Sequence, residues 1–164
     1  MSTKWGKILR ATAVIAAAMA AAFTLIGGAG TSCVAWNADT YGRAFAAFVP
    51  YMPVYQLFVY INAVTGIVGL WLTYRLVRGG NRAYAGIVGI VCLYLVTAGV
   101  QMWYSSTLKE VSFFDTAPNS MRLYVYALTL ILFIIVKLPD IRDMVDFTAP
   151  WRNPKSGAAA GGLA

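Results

Sequence analysis

One set of polar and aromatic side chains in this sequence has the types and spacing to surround a small ligand. Tyr94, Thr97, Gln101 and Tyr104 recur every three or four residues, which places them on one face of a helix. Brought together with polar residues of two other helices, they would line an outward-facing pocket for a quinone, a lipid or a pigment. The full set of candidate pocket residues is Gln56, Tyr60, Asn62, Tyr94, Thr97, Gln101, Tyr104 and Tyr124. Hydrogen bonding between helices and an ordinary aromatic belt would explain the same residues without a ligand.

Most residues that catalytic and metal sites require are missing. The sequence has no histidine, which excludes imidazole ligands for haem or zinc and histidine-activated nucleophiles. Cys33 and Cys92 are far apart and form no CxxC motif, which argues against a disulfide oxidoreductase. No ionisable residue falls in the middle of a predicted span, so ion-coupled transport is also disfavoured. The sequence therefore predicts a non-catalytic protein with no cofactor and no metal.

The elements that must position these residues are membrane helices. The chain has 164 residues, of which 60% are hydrophobic and 12% are charged. A typical soluble domain has about 45–50% apolar and about 25% charged residues. With a mean hydropathy of +0.67, this chain cannot coat a water-soluble surface. It is predicted to be an integral membrane protein in contact with the lipid bilayer.

Four apolar stretches are judged against the ~20 residues that a helix needs to cross the hydrocarbon core. They lie at about 11–33, 53–76, 83–104 and 122–138. Pro53 suits the first turn of the second helix, and Pro139 is expected to end the fourth. The short connection between the second and third stretches, a tight turn at Gly79-Gly80, makes them antiparallel neighbours. The predicted fold is an all-α transmembrane domain over 11–138, with four helices in an antiparallel bundle.

The distribution of Lys and Arg predicts the orientation. Ten of the thirteen lie in 1–10, at the second–third connection or after the fourth stretch, and only Arg43, Lys109 and Arg122 lie on the other side. The positive-inside rule then places both termini in the cytoplasm, by default of a prokaryotic plasma (inner) membrane. The formal charge of +7 reflects this topology and gives no evidence for a nucleic-acid partner.

Segments outside the four spans have predicted structures of their own. The loop Val34–Met52 is predicted to form a short interfacial helix. Asp39 is expected to cap its start, and Pro50 and Pro53 are expected to end it. Residues 139–155 form an amphipathic juxtamembrane segment with Ile141, Met144, Val145 and Thr148 on one face and Asp140, Asp143 and Asp146 elsewhere. The Gly/Ala-rich tail at 156–164 is predicted to be disordered.

The first span has two interpretations. Its basic start, alanine-rich centre and small residues at Gly28-Ala29-Gly30 are also found in secretory signal peptides. The apolar stretch is longer than the usual ~7–15 residues of such a peptide, which favours an uncleaved anchor. Cleavage would leave three spans in the same orientation.

Small residues at helical spacing predict close packing between the helices. The set consists of Ala13, Ala17 and Ala21; Asn62, Thr65, Gly66, Gly69 and Thr73; and Ala85 and Gly89. The glycine-rich second span, from Gly66 to Arg75, loosely resembles that of the DoxX-like small membrane proteins. The acidic residue expected on the second span of that family is absent here, so no membership is inferred.

Two functions are consistent with these patterns. The first is an accessory or assembly subunit of a larger membrane complex, because helix-packing residues are abundant and catalytic groups are absent. The alternative is a binder of a hydrophobic small molecule in an outer-half pocket between the second, third and fourth helices.

Overall fold

The computed structural model describes residues 4–80, 82–115, 119–142, 145 and 147, and within these residues there is no strand. Four long helices dominate: α1 (Lys4–Asn37), α2 (Met52–Arg78), α3 (Ala83–Lys109) and α4 (Asn119–Val136). A four-residue helix, α5 (Pro139–Arg142), follows. The first three are long and apolar enough to cross a membrane, and α4 is a shorter apolar helix. The predicted all-helical chain, compatible with a membrane protein, is confirmed.

The ends of α2 and α3 are set by residues in the left-handed conformation. Gly79 has φ 82°, and the N–H groups of Gly79 and Gly80 both donate to the carbonyl oxygen of Arg75. Glycine adopts this conformation without a Cβ clash. α3 ends in the same way at Glu110, with φ 54°, although this residue has a side chain. At the start of α2, Pro53 lies in the first turn, as its sequence position predicts.

α1 and α2 pack together through small residues. A Cβ added at Gly69 would lie 3.1 Å from the Cβ of Ala21, and one added at Gly28 would lie 3.1 Å from the Cβ of Asn62. The backbones therefore approach too closely for larger side chains. Further alanines of α1, including Ala13, are buried as well.

One end of the bundle, here called the turn end, contains the Gly79 turn. There Arg10 of α1 donates to the carbonyl oxygen of Leu76 at the end of α2, at 3.5 Å. The hydroxyl of Tyr84 in α3 donates to the carbonyl oxygen of Phe133 in α4. These bonds join α1 to α2 and α3 to α4 at this end.

The opposite end, here called the loop end, contains the end of α1 and the start of α2. Gln56 donates to the carbonyl oxygen of Ala35 at 3.0 Å, which joins α2 to α1. The hydroxyls of Tyr55 and Ser105 are 2.8 Å apart, which joins α2 to α3.

The connection between α1 and α2 differs from its predicted form. α1 continues to Asn37, and two 3₁₀ helices follow, Gly42–Ala44 and Ala46–Tyr51. Asp39 caps neither of them, because the longer α1 places this residue in the turn directly after its own end. Pro50 lies inside the second 3₁₀ helix and does not end it.

The fourth helix is shifted towards the N-terminus relative to its predicted bounds. It begins at Asn119, three residues before the predicted start, and ends at Val136. Pro139 belongs to α5 and is not the residue that stops α4. As a result, Arg122 lies one turn inside the helix and is not its first residue.

Several predicted features fall on residues outside the described part of the chain. These are the 156–164 tail and most of the 139–155 segment, including Asp143, Met144 and Asp146. Beyond α5, two residues of that segment are described. Val145 is buried, and the Phe147 ring stacks on Phe133 at 6.3 Å between centroids.

Candidate functional site

The most unusual residue inside the bundle is Arg122. Its side chain is only 3% exposed, and it points into the bundle from the first turns of α4. One terminal nitrogen, Nη2, donates to Oδ1 of Asn62 in α2 at 3.1 Å. Its Nε donates to the hydroxyl of Tyr126, one turn further along α4, at 3.2 Å. The sequence places Arg122 at the very start of the fourth span, whereas in the structure its side chain is buried inside the bundle.

The hydroxyl of Tyr126 links Arg122 to α1. It lies 2.8 Å from Oγ1 of Thr24, and Thr24 donates its own proton to the carbonyl oxygen of Ala20 at 2.9 Å. Because the Thr24 proton is committed, Tyr126 donates to Thr24 and accepts from Arg122. Each hydrogen bond in such a chain polarises the next, which strengthens a buried network.

A second group of polar contacts lies nearer the loop end. Gln101 of α3 donates to Oγ1 of Thr31 in α1 at 2.8 Å, and Thr31 donates to the carbonyl oxygen of Gly27 at 2.7 Å. Gln101 is 2% exposed, so its amide is almost entirely removed from the surface. Four helices thus contribute polar side chains to one region of the bundle.

A cavity of about 550 Å³ lies beside these two groups, within the ~300–1,000 Å³ of typical small-molecule sites. Phe23, Val34, Phe45 and Phe48 contribute apolar walls, and Gln101 and Thr31 contribute polar groups. Ile26 of α1 and Met121 of α4 also line it, and both side chains are more than half exposed. The cavity therefore reaches the surface between α1 and α4.

Two cations line the cavity, Arg122 and Lys109. The Lys109 ammonium lies 5.4 Å from the ring centroids of both Phe45 and Phe48, within cation–π range. No aspartate or glutamate occurs among the described residues that line the cavity. The described lining is therefore positively charged.

Gly27 makes room for the guanidinium. A Cβ at this position would overlap the side chain of Arg122, whereas a Cβ at Gly30, one turn along α1, would meet nothing within 4 Å. Both glycines line the cavity. A small residue at position 27 is therefore needed for Arg122 to occupy its place.

Asn62 is the second residue that defines the position of Arg122. It is 2% exposed, and its Oδ1 accepts from Arg122. Its Nδ2 is buried and has no hydrogen-bond partner among the described residues. Such a group carries a desolvation cost of roughly 1–3 kcal/mol. The position of the Asn62 side chain thus satisfies its Oδ1 acceptor and leaves its Nδ2 donor unsatisfied.

The structure brings together only part of the predicted pocket. Gln101 lines the cavity, and Asn62 lies behind it through Arg122. Tyr60 and Tyr124 are more than half exposed on the outside of the bundle. The other four are used elsewhere: Gln56 bonds to Ala35, Tyr94 donates to the carbonyl oxygen of Thr65, Thr97 bonds within α3, and Tyr104 packs against Tyr51 and Tyr55.

The cavity also uses a different set of helices from the predicted one. It lies mainly between α1, α3 and α4, whereas the sequence pattern suggested α2, α3 and α4. α2 contributes Tyr55, which bonds to Ser105 of α3. The reason is that the small-residue face of α2 packs directly against α1 and leaves no space there.

The predicted packing residues divide in a similar way. Those of α1 and α2 are buried: Ala13, Ala17, Ala21, Asn62, Thr65, Gly66, Gly69 and Thr73. Ala85 and Gly89 of α3 are exposed, and a Cβ added at Gly89 would meet nothing within 4 Å. Among the described residues, no other helix therefore covers α3 at Gly89.

The sequence patterns missed six residues of the site: Thr24, Gly27, Thr31, Lys109, Arg122 and Tyr126. Arg122 lies four residues before Tyr126 and seven before Thr129, so Arg122, Tyr126 and Thr129 share one helix face. This spacing alone indicates a polar face on the fourth helix. Gly27 and Lys109 have no comparable signal, because their roles depend on which helices are neighbours.

Comparisons with known proteins do not assign this site. No protein-family model matches the chain, and comparison with curated proteins and with solved structures gives no significant match. Among the described residues, no group of three or more His, Cys, Asp or Glu side chains could hold a metal ion.

Proposed function

We propose that this chain is a membrane protein that binds a small amphiphilic molecule in the cavity beside Arg122. The observation that carries the proposal is a cavity of about 550 Å³ whose walls are mostly apolar and whose polar groups converge from several helices. Pockets of this kind hold an apolar body by burial and orient a head through a few polar contacts. The proposed role is binding and not catalysis.

The proposed topology is an antiparallel four-helix bundle with both termini in the cytoplasm of a prokaryotic cell. Basic residues support it, because Lys4, Lys7, Arg75 and Arg78 belong to helix segments at the turn end and Lys137 directly follows α4 there. Under the positive-inside rule, that end is cytoplasmic. The loop end and its cavity would then lie in the outer half of the membrane.

α1 is proposed to remain in the mature protein. It supplies Thr24, Gly27 and Thr31 to the site, and it packs along the length of α2. Removal of a signal peptide would take away one wall of the cavity. Mass spectrometry of the purified protein should therefore give the full 17.7 kDa chain, and a mass reduced by the first span would refute this part of the proposal.

The binding proposal is tested by organic extraction of protein purified in mild detergent, which should yield one ligand in stoichiometric amount. Gly30→Phe fills the cavity, because position 30 lines it and an added Cβ meets nothing nearby. Gly89→Phe is the matched control, since position 89 is equally open but lies on α3 away from the cavity. The ligand should be lost from the first variant and kept by the second. A clean extract from the native protein would contradict the proposal.

A second proposal is that the chain is a subunit of a larger membrane complex. The observation that favours it is the open face of α3, where Ala85, Gly89 and Cys92 are exposed and added Cβ atoms at Gly89 and Gly99 meet nothing within 4 Å. Small residues on an exposed face allow another helix to approach closely. Native gels with mass spectrometry of the bands test this. Gly89→Phe should release the partner while Gly30→Phe retains it, and migration of the native protein as a lone monomer would contradict it.

A further inference from the structure

We infer that the molecule held in the cavity carries an anionic head group, a carboxylate or a phosphate monoester. This inference rests on the proposed binding function and specifies its ligand class. It is carried by the two cations that line the cavity, Arg122 and Lys109. A neutral head group such as a quinone carbonyl would not require either charge.

Arg122 is costly to place where it lies. A charged side chain inside the hydrocarbon region is unfavourable by at least ~2.5 kcal/mol on insertion scales, and arginines near helix ends usually extend towards the interface. Here Asn62 and Tyr126 hold the guanidinium inside the bundle, at 3.1 and 3.2 Å. A buried ionisable residue that also lines a cavity marks a ligand path by default.

The guanidinium is pre-organised for a planar anion. Its Nε and one terminal nitrogen are fixed by bonds to neutral acceptors, so its orientation is set before a ligand arrives. Gly27 leaves space against the same group, because any side chain there would overlap it. Arginine presents several N–H donors in one plane and matches carboxylate and phosphate geometry better than lysine does.

Lys109 supplies a second, more adaptable charge. It lies in the last turn of α3, is exposed, and is held near Phe45 and Phe48 by cation–π contacts. Its flexible stem can follow a head group that enters from the surface. The apolar part of the ligand then contacts walls such as Phe23 and Val34.

The test uses Cys33 as a reporter, because this exposed thiol lines the cavity. In the Cys92→Ser background, maleimide labelling of Cys33 is followed with an alkyl carboxylate, an alkyl phosphate or an alkanol of the same chain length. The carboxylate or the phosphate should protect Cys33 at a concentration about tenfold or more below that required of the alkanol. The two anionic probes distinguish the two head groups. Cys92, labelled in the Cys33→Ser background, should be unaffected by every probe.

Charge-removing variants complete the test. Lys109→Gln should weaken protection by the anionic probe several-fold, while Lys137→Gln should not change it. Lys137 is the matched control because it also lies over an aromatic ring, Tyr84 at 5.1 Å, but at the turn end. Arg122→Gln should remove the preference for the anion over the alkanol, and Arg122→Lys should keep part of it. If Arg122→Gln does not fold, the comparison of Lys109→Gln with Lys137→Gln still tests whether a cation at the cavity favours the anionic probe.

The results separate this inference from the proposed function. Equal protection by the alkanol and the anionic probes would overturn the anionic head group and leave the binding site intact. If no probe protected Cys33, both proposals would fail.

Discussion

At the scale of single residues, the most demanding feature is the positive charge of Arg122, which lies inside a largely apolar bundle. Arg122 is anchored by Asn62 from α2 and by Tyr126 from its own helix, and Thr24 of α1 extends the chain of bonds. Losing one member leaves a buried partner unsatisfied, which costs more than the net value of the bond itself. The network is therefore expected to be sensitive to changes of a single atom.

Tyr126→Phe tests this sensitivity. The change removes one hydroxyl that accepts from Arg122 and donates to Thr24, so the free energy of unfolding should fall by about 1–2 kcal/mol. Tyr124→Phe is the control, because that ring is 54% exposed on the same helix. Unfolding titrations in mixed detergent micelles measure both. Equal stability of the two variants would show that the network contributes little.

Gly27→Ala should destabilise the protein, whereas Gly30→Ala should not. Both replacements gain helix propensity, by up to ~1 kcal/mol. At position 27 the new methyl overlaps the guanidinium and forces it away from Asn62 and Tyr126, while at position 30 it meets open space. The two melting temperatures should therefore move apart, with the position 27 variant lower. A higher melting temperature for both would mean that Arg122 can move at no cost.

At the scale of helices, the two left-handed ends are built from different residues. Gly79 ends α2 without strain, whereas Glu110 ends α3 with a side chain in the same conformation. A residue with a Cβ in the left-handed region loses roughly 1–2 kcal/mol relative to the right-handed one. The end of α3 is thus a place where the local conformation is not optimal.

Substitutions at these two ends should have opposite effects on stability. Glu110→Gly should raise the free energy of unfolding by up to ~1 kcal/mol, and Gly79→Ala should lower it by about as much. The midpoints of thermal unfolding in the same detergent provide the comparison. A destabilised Glu110→Gly variant would show that the Glu110 side chain makes a contribution larger than its backbone strain.

The bounds of the helices were easier to predict than which helices pack against each other. Pro53 and the Gly79-Gly80 pair marked real boundaries, because proline and glycine act through the local backbone alone. Asp39 was predicted to cap a helix. Because α1 continues past its predicted end to Asn37, Asp39 lies instead in the turn that follows α1. The cavity could not be predicted in the same way. Its walls depend on the packing of α1 against α2. Several helices carry faces of small residues, and one sequence does not determine which two of these faces pack together.

At the scale of the whole molecule, the proposed orientation makes a prediction about accessibility. In intact cells a membrane-impermeant maleimide should label Cys33 in the Cys92→Ser background, because Cys33 lies near the outer end of α1. Lys137→Cys in a cysteine-free background should react only after the membrane is permeabilised. The opposite pattern would invert the topology.

The lengths of the helices have a consequence for the lipid around the protein. At 1.5 Å per residue, the 34 residues of α1 extend about 51 Å, whereas the 18 described residues of α4 extend about 27 Å. A bilayer accommodates a long helix by tilting it and a short one by thinning beside it. In the proposed orientation, a bilayer that thinned beside α4 would bring the outer lipid surface towards Met121 and shorten the distance that a lipid-borne molecule travels to Arg122.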